Sequence, residues 1–140
     1  MAERLVDGVT FVTMGKLDAF AQLNIARKLG PALPIVEGLI RPENAEKDKG
    51  ILTVLMLSRL SDEDSEFVIR KCLSVVGRRD GSKTFKVTGP DGSLMYDDLT
   101  MSTMLDLAVD VIEENLGGFF RTALGNMAEV SRQRAEVSPQ

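Results

Sequence analysis

LDAFAQLNIARKLGP, residues 17–31, decides how the chain is read, because it is a helix with two apolar faces where a surface helix needs one. At about 100° per residue, Leu17, Ala21, Ile25 and Leu29 fall on one face. Ala19, Phe20, Leu23, Ala26 and Gly30 fall on the other. Asp18 and Gln22 separate the faces on one side, Asn24 and Arg27 on the other. Gly30-Pro31 closes the run: glycine tolerates the turn that ends a helix, and proline has no N–H with which to continue it. The helix is expected to begin near Gly15 or Lys16 and to end at Leu29. Its first face belongs to the domain core. Its second, small-residue face is suited to a second helix, from this chain, a sister subunit or a separate client.

Residues 1–13 read as an extended start, with a short strand in VTFVTM. PALPIVEGLI, residues 31–40, reads as a second short helix, since Pro31 and Pro34 fit a first turn whose N–H groups have no intrahelical partner. RPENAEKDKG, residues 41–50, is polar and reads as a surface loop. ILTVLMLSRL, residues 51–60, is apolar nearly all round and reads as a buried helix. Ser61-Asp62-Glu63-Asp64 then opens another helix: the serine caps a first-turn N–H, and the acids complement the positive end of the dipole. Within it Val68, Cys72 and Val75 recur on one face, with Phe67 beside them.

The pattern changes at Gly77. Two turn signals, Asp80-Gly81 and Gly89-Pro90-Asp91-Gly92, bracket Thr84-Phe85-Lys86-Val87, whose alternation puts Phe85 and Val87 on one face. A β-hairpin is expected over residues 84–96, with a third strand near 75–78, packed on the helices because a lone hairpin is marginal in water. Thr100 is the expected N-cap of a long helix with the stripe Met101, Leu105, Ala108, Ile112, Leu116 and Phe119, widened by Met104 and Val111. Gly117-Gly118 is expected to weaken or kink it, at about 1 kcal/mol per glycine relative to alanine. The expected architecture is mainly α within an α+β class: a compact helical domain of about five helices with a small antiparallel β-hairpin. That single domain spans residues 1–128, with the hairpin around 75–96 and a disordered tail over 129–140.

Composition narrows the function. A 140-residue chain with 44% hydrophobic and 27% charged residues is ordinary globular material and needs no metal or disulfide to fold. Net charge −4 and pI about 4.9 argue against a dedicated nucleic-acid binder. There is no histidine and one cysteine, so imidazole and thiolate zinc sites are excluded and no intrachain disulfide can form. No signal-peptide h-region and no membrane span are expected, and a reducing cytoplasm fits the cysteine usage.

The acidic run at 62–66 lacks the alternating ligands and glycine of a calcium loop and reads as capping. Asp97-Asp98 and Glu113-Glu114 read as solvated, because neighbouring helical carboxylates diverge. Arg70, Lys71, Arg78, Arg79, Lys83 and Lys86 form a basic cluster with one interleaved aromatic, Phe85. Cys72 reads as a buried thiol. Met95, Met101 and Met104 read as core filling, with adaptable partner binding as the alternative. In GGFFRTAL, Phe119 continues the core stripe at helical spacing while Phe120 points elsewhere. Either both aromatics belong to the core, or Phe120 and Arg121 offer an anchor to a partner, a combination enriched at binding hot spots.

LDAFAQLNIARKLGP, SDEDSEFVIRKCLSVVGRRDG and GSLMYDDLTMSTMLDLAVDVIEENLGGFF, in that order, resemble the tail assembly chaperones of long-tailed bacteriophages. Phe20, Ala26-Arg27 and Leu29-Gly30-Pro31 match the family's first helix. Cys72, Leu73, Val75 and Val76 match the end of its middle helix, and Asn115, Leu116, Gly117, Phe119 and Phe120 a motif near its end. The histidine and tryptophan that relatives often carry in the first helix and hairpin are absent here. The resemblance implies a non-enzymatic protein without cofactor or metal. It would act in the host bacterial cytoplasm, be absent from the mature virion, and bind the tape measure protein before tail tube subunits polymerise around it. This chain would be the short form. A longer, frameshifted form would contact the tube protein, and homo-oligomers fit the role. The expected partner-binding residues are Ala19, Phe20, Leu23, Ala26, Arg27, Phe119, Phe120 and Arg121. A structural tail or virion subunit, and a small nucleic-acid-binding regulator using the basic segment, are the alternatives.

Overall fold

The computed structural model describes residues 3–40 and 49–137, with side chains for 3–39 and 49–126. The polar loop expected at 41–50 thus falls mostly outside the described residues, and so does the last part of the expected tail, 138–140. The class is α+β, with five α-helices and a four-stranded antiparallel sheet among the described residues.

The chain opens with a hairpin of β1 (Glu3–Val6) and β2 (Val9–Thr13). Val6 pairs with Val9, so the turn is Asp7-Gly8, and both residues have positive φ (50° and 81°) as a tight type I′ hairpin turn requires. This hairpin corrects the reading of residues 1–13 as an extended start with one strand. The cue was present: an Asp-Gly between β-branched runs is a strong short-range hairpin signal.

α1 (Ala19–Lys28) starts later than the expected Gly15 or Lys16, because Asp18 is its N-cap and accepts from the Ala21 N–H at 2.8 Å. Ahead of the cap, the Leu17 N–H donates to Asn115 Oδ1 at 3.0 Å, which ties this helix start to the long C-terminal helix. A 3₁₀ turn at Gly30–Ala32 holds Pro31 and leads into α2 (Leu33–Ile40). α3 (Gly50–Ser58) and α4 (Asp62–Leu73) follow, and Ser61 caps α4 by accepting from the Asp64 N–H at 3.1 Å. α3 is a helix as expected, but it is not buried all round. Thr53 and Met56 are inside, whereas Ile51, Val54 and Leu55 are exposed.

β3 (Val76–Asp80) leaves α4 directly and pairs with β2 on one side and β4 (Lys83–Lys86) on the other, giving the order β1-β2-β3-β4. The expected hairpin over 84–96 is therefore displaced. The hairpin turn is Gly81-Ser82, with Gly81 at φ 64°, and the Gly89–Gly92 turn closes a single bridge between Thr88 and Leu94. Phe85 and Val87 part company as well. Val87 is fully buried, while Phe85, on the outer edge strand, is 46% exposed.

Gly77 sits in β3 between β2 and β4, where Met14 and Thr84 crowd the space a Cβ would need. Met14 can swing away; Thr84, branched at Cβ, lies 2.5 Å from the added carbon through Cγ2 and cannot do so freely. Gly77→Ala is expected to cost about 1–3 kcal/mol through overpacking, read as a shift in the urea midpoint.

The core lies between the sheet and the helices and is organised on α5 (Met101–Val137), which packs against α1, α2, α3 and α4. Thr100 caps it as expected, accepting from the Thr103 N–H at 3.2 Å. Leu105, Ala108, Ile112 and Leu116 are buried, but Met101 is 65% exposed. Beyond Leu116 the buried ridge runs in steps of four, through Phe120 (1% exposed) to Leu124, and not in the step of three that leads to Phe119 (58% exposed). α5 runs unbroken through Gly117-Gly118. Burial of Leu116 and Phe120 on either side offsets the low helix propensity of the pair. The helix continues to Val137, across most of the segment expected to be a disordered tail.

Candidate partner-binding surfaces

The two faces of the first helix separate as the sequence indicates. Leu17, Ala21, Ile25 and Leu29 are all buried in the core. Phe20 is 79% and Leu23 53% exposed, and Ala19 and Arg27 are exposed too. The structure brings this open face against α5: Ala19, Gln22, Leu23 and Ala26 form a shallow cleft of about 210 Å³ with Leu116 and Phe119. Phe119 is thus the exposed aromatic of the pair. Phe120, expected as the outward anchor, is a core side chain, and its ring meets Phe119 edge to face at 5.6 Å. Arg121 is exposed, with its guanidinium close to Gly117.

A second apolar surface is larger and was missed as a site. α3 contributes Val54 and Leu57, and α4 contributes Ile69 and Leu73. Leu94 enters from the turn after the sheet, and Met101, Met104 and Leu105 come from the first turns of α5. Together they line a groove of about 470 Å³. Two signals pointed to it. α3 carries more apolar residues than one buried face can use, and two methionines, Met101 and Met104, stand at the start of α5, where adaptable side chains suit a partner.

Several of the charged candidates are engaged within the chain. Arg70 pairs with Glu66 at 2.8 Å and also donates to the Gly92 carbonyl. Arg79 pairs with Glu3 at 2.6 Å, and Arg78 with Asp98 at 2.7 Å, its guanidinium 4.4 Å from the Tyr96 ring centre. Lys28 reaches Asp64 at 2.8 Å and lies over the Phe67 ring. Hydrogen bonds from Lys28 to Asp64 and from Arg78 to Asp98 hold both carboxyls below the usual carboxylate range. Their stabilisation is present above about pH 4 and is lost as pH falls through the lowered folded value. Arg4 donates twice to Asp110, at 2.6 and 2.8 Å, clamping β1 to α5. Among the described residues, no group of acids, histidines or cysteines is placed to hold a metal ion, and no helix is long and apolar enough to cross a membrane.

Cys72 is fully buried in α4, and that burial pushes its thiol up to about 12. Native protein at neutral pH is expected to resist alkylation by iodoacetamide, with full labelling on unfolding, as mass spectrometry would read it.

The described residues present two exposed apolar surfaces on a well-packed body. No curated protein and no solved structure matches the chain. The family described as phage tail assembly chaperone protein, TAC, matches residues 7–128, from the Asp7-Gly8 turn through the packed part of α5. A match over that span carries every element that builds the two surfaces, and the chain belongs to the phage tail assembly chaperone family.

Proposed function

We propose that this chaperone binds the tape measure protein in the host cytoplasm and keeps it soluble until tail tube subunits polymerise around it, and that it is left out of the finished virion. A longer, frameshifted form of the chain would recruit the tube protein. The observation that carries this reading is the groove between α3, α4 and α5, whose exposed Val54, Leu94 and Met101 leave an apolar trough open to solvent. A long helical client that must stay unaggregated presents amphipathic helices, and an apolar groove takes such a helix through anchors at i, i+3, i+4 and i+7. The methionines let one groove accommodate anchors of differing shape.

Co-expression with the tape measure protein tests this. The client is expected in the soluble fraction only when the chaperone is present. Stoichiometric recovery of this chain from purified virions would instead establish a structural tail subunit.

The α1–α5 face serves self-association in this reading. Leu23 and Phe119 line the Ala19–Ala26 cleft and are exposed, as is Phe20 on the same helix, so this side of the molecule offers apolar contact, with Arg27 and Arg121 also exposed. Sedimentation velocity is expected to show concentration-dependent association that falls at least five-fold in Phe20→Ser with Leu23→Ser, a loss of about 1 kcal/mol. An unchanged profile would remove that role from the face.

A further inference from the structure

The groove is apolar along its base but charged along one edge. Asp62 and Glu66 stand one turn apart on α4, and both line it, together with Arg70. Arg70 is held by Glu66 and by the Gly92 carbonyl, so its charge is already matched. Lys28, the other cation near this turn, pairs with Asp64. Asp62 has no ion-pair partner among the described residues, and neighbouring Glu63 is exposed. The α4 dipole offsets roughly half a unit of charge at its N-terminus, which leaves this edge negative. The side chains that α3 and α5 bring to the groove, Val54, Leu57, Met101, Met104 and Leu105, carry no charge.

We infer that the groove selects an amphipathic helix whose apolar stripe is flanked along one edge by Lys or Arg. The inference rests on the groove being the client site and names the chemistry of the client segment that enters it. The apolar base binds any stripe of suitable size, and methionine adapts to its shape. The charged edge then fixes which way round the helix lies, because the reversed helix brings its acidic or neutral flank against Asp62. Client segments with basic flanks are engaged, and those with acidic flanks are passed over.

Three helical peptides with the same Leu/Met stripe and a Lys, Gln or Glu flank test this by fluorescence anisotropy with the full chain. At low salt the Lys peptide is expected to bind about three- to five-fold more tightly than the Gln peptide, and the Glu peptide more weakly than both. The differences should close at high salt. Asp62→Asn is expected to erase most of the preference, and Asp62→Lys to invert it, with Ser61 and Glu63 still in place to start α4. Equal binding of the three peptides, or an order unaffected by both variants, overturns the inference while leaving the groove as the client site. Failure of all three peptides to bind overturns the groove reading itself.

Discussion

Phe120→Ala is expected to lower the stability of the chain by about 3–5 kcal/mol, the cost of emptying a fully buried aromatic position. Phe120 is 1% exposed and follows Leu116 on the ridge of α5 that faces the core. The core cluster to which it belongs draws on several elements, which close such a hole only in part. Phe119→Ala, one residue away, removes a ring that is 58% exposed and is expected to cost about 1 kcal/mol or less, chiefly its edge-to-face contact with Phe120. Urea titrations of the two variants, compared at unchanged m-value, read the difference. Similar losses, or a larger one for Phe119→Ala, would mean that the core follows the step of three in the sequence and that the α1–α5 cleft is not open.

The groove yields the second large effect, on binding. Val54 and Met101 are 47% and 65% exposed, so Val54→Asp and Met101→Asp replace side chains that the fold does not need buried. The folded chain is expected to survive both, with stability changed by about 0.5 kcal/mol or less each. Client affinity is another matter. A docked helix would bury both new carboxylates without partners, and the double variant is expected to lose about 100-fold in affinity, roughly 2.7 kcal/mol. Pull-down with the tape measure protein measures it, and the same variants should leave the client insoluble on co-expression. Full solubilisation by a folded double variant would place the client elsewhere, with the α1–α5 face the next surface to mutate.

Periodicity made the helices and most of the core legible. The buried face of α1, the Ser61 and Thr100 caps, and the stripe from Leu105 to Leu116 all follow from local spacing, because each depends on residues within one or two turns. The sheet was legible only in part. β3 was placed beside the strand that follows it, but its pairing with β2 was not, since that pairing joins residues 11–13 to 76–78 across four helices and no local pattern encodes that. The Asp7-Gly8 turn was a local cue passed over. Phe119 and Phe120 exchanged roles for a physical reason: on an ideal helix both lie within reach of the stripe, and the neighbours present at that end of α5 decide which is covered.

The candidate site divides in the same way. Ala19, Leu23, Ala26 and Phe119 were named from sequence, and the structure sets them around one cleft. The groove needs three helices and the Leu94 turn to meet, so composition gave only its ingredients: an over-apolar α3 and the methionines at the start of α5. Family membership is carried by the match over residues 7–128, which includes both surfaces and does not distinguish between them.

Methionine methyl NMR distinguishes them most directly. Met101 and Met104 line the groove; Met56 is buried in α3, and Met14 lies over the sheet against Gly77. With each resonance assigned by a single Met→Leu substitution, saturating tape measure protein is expected to shift Met101 and Met104 and to leave Met14 and Met56 in place. A client that binds while Met101 and Met104 stay unmoved would contradict the groove as its site.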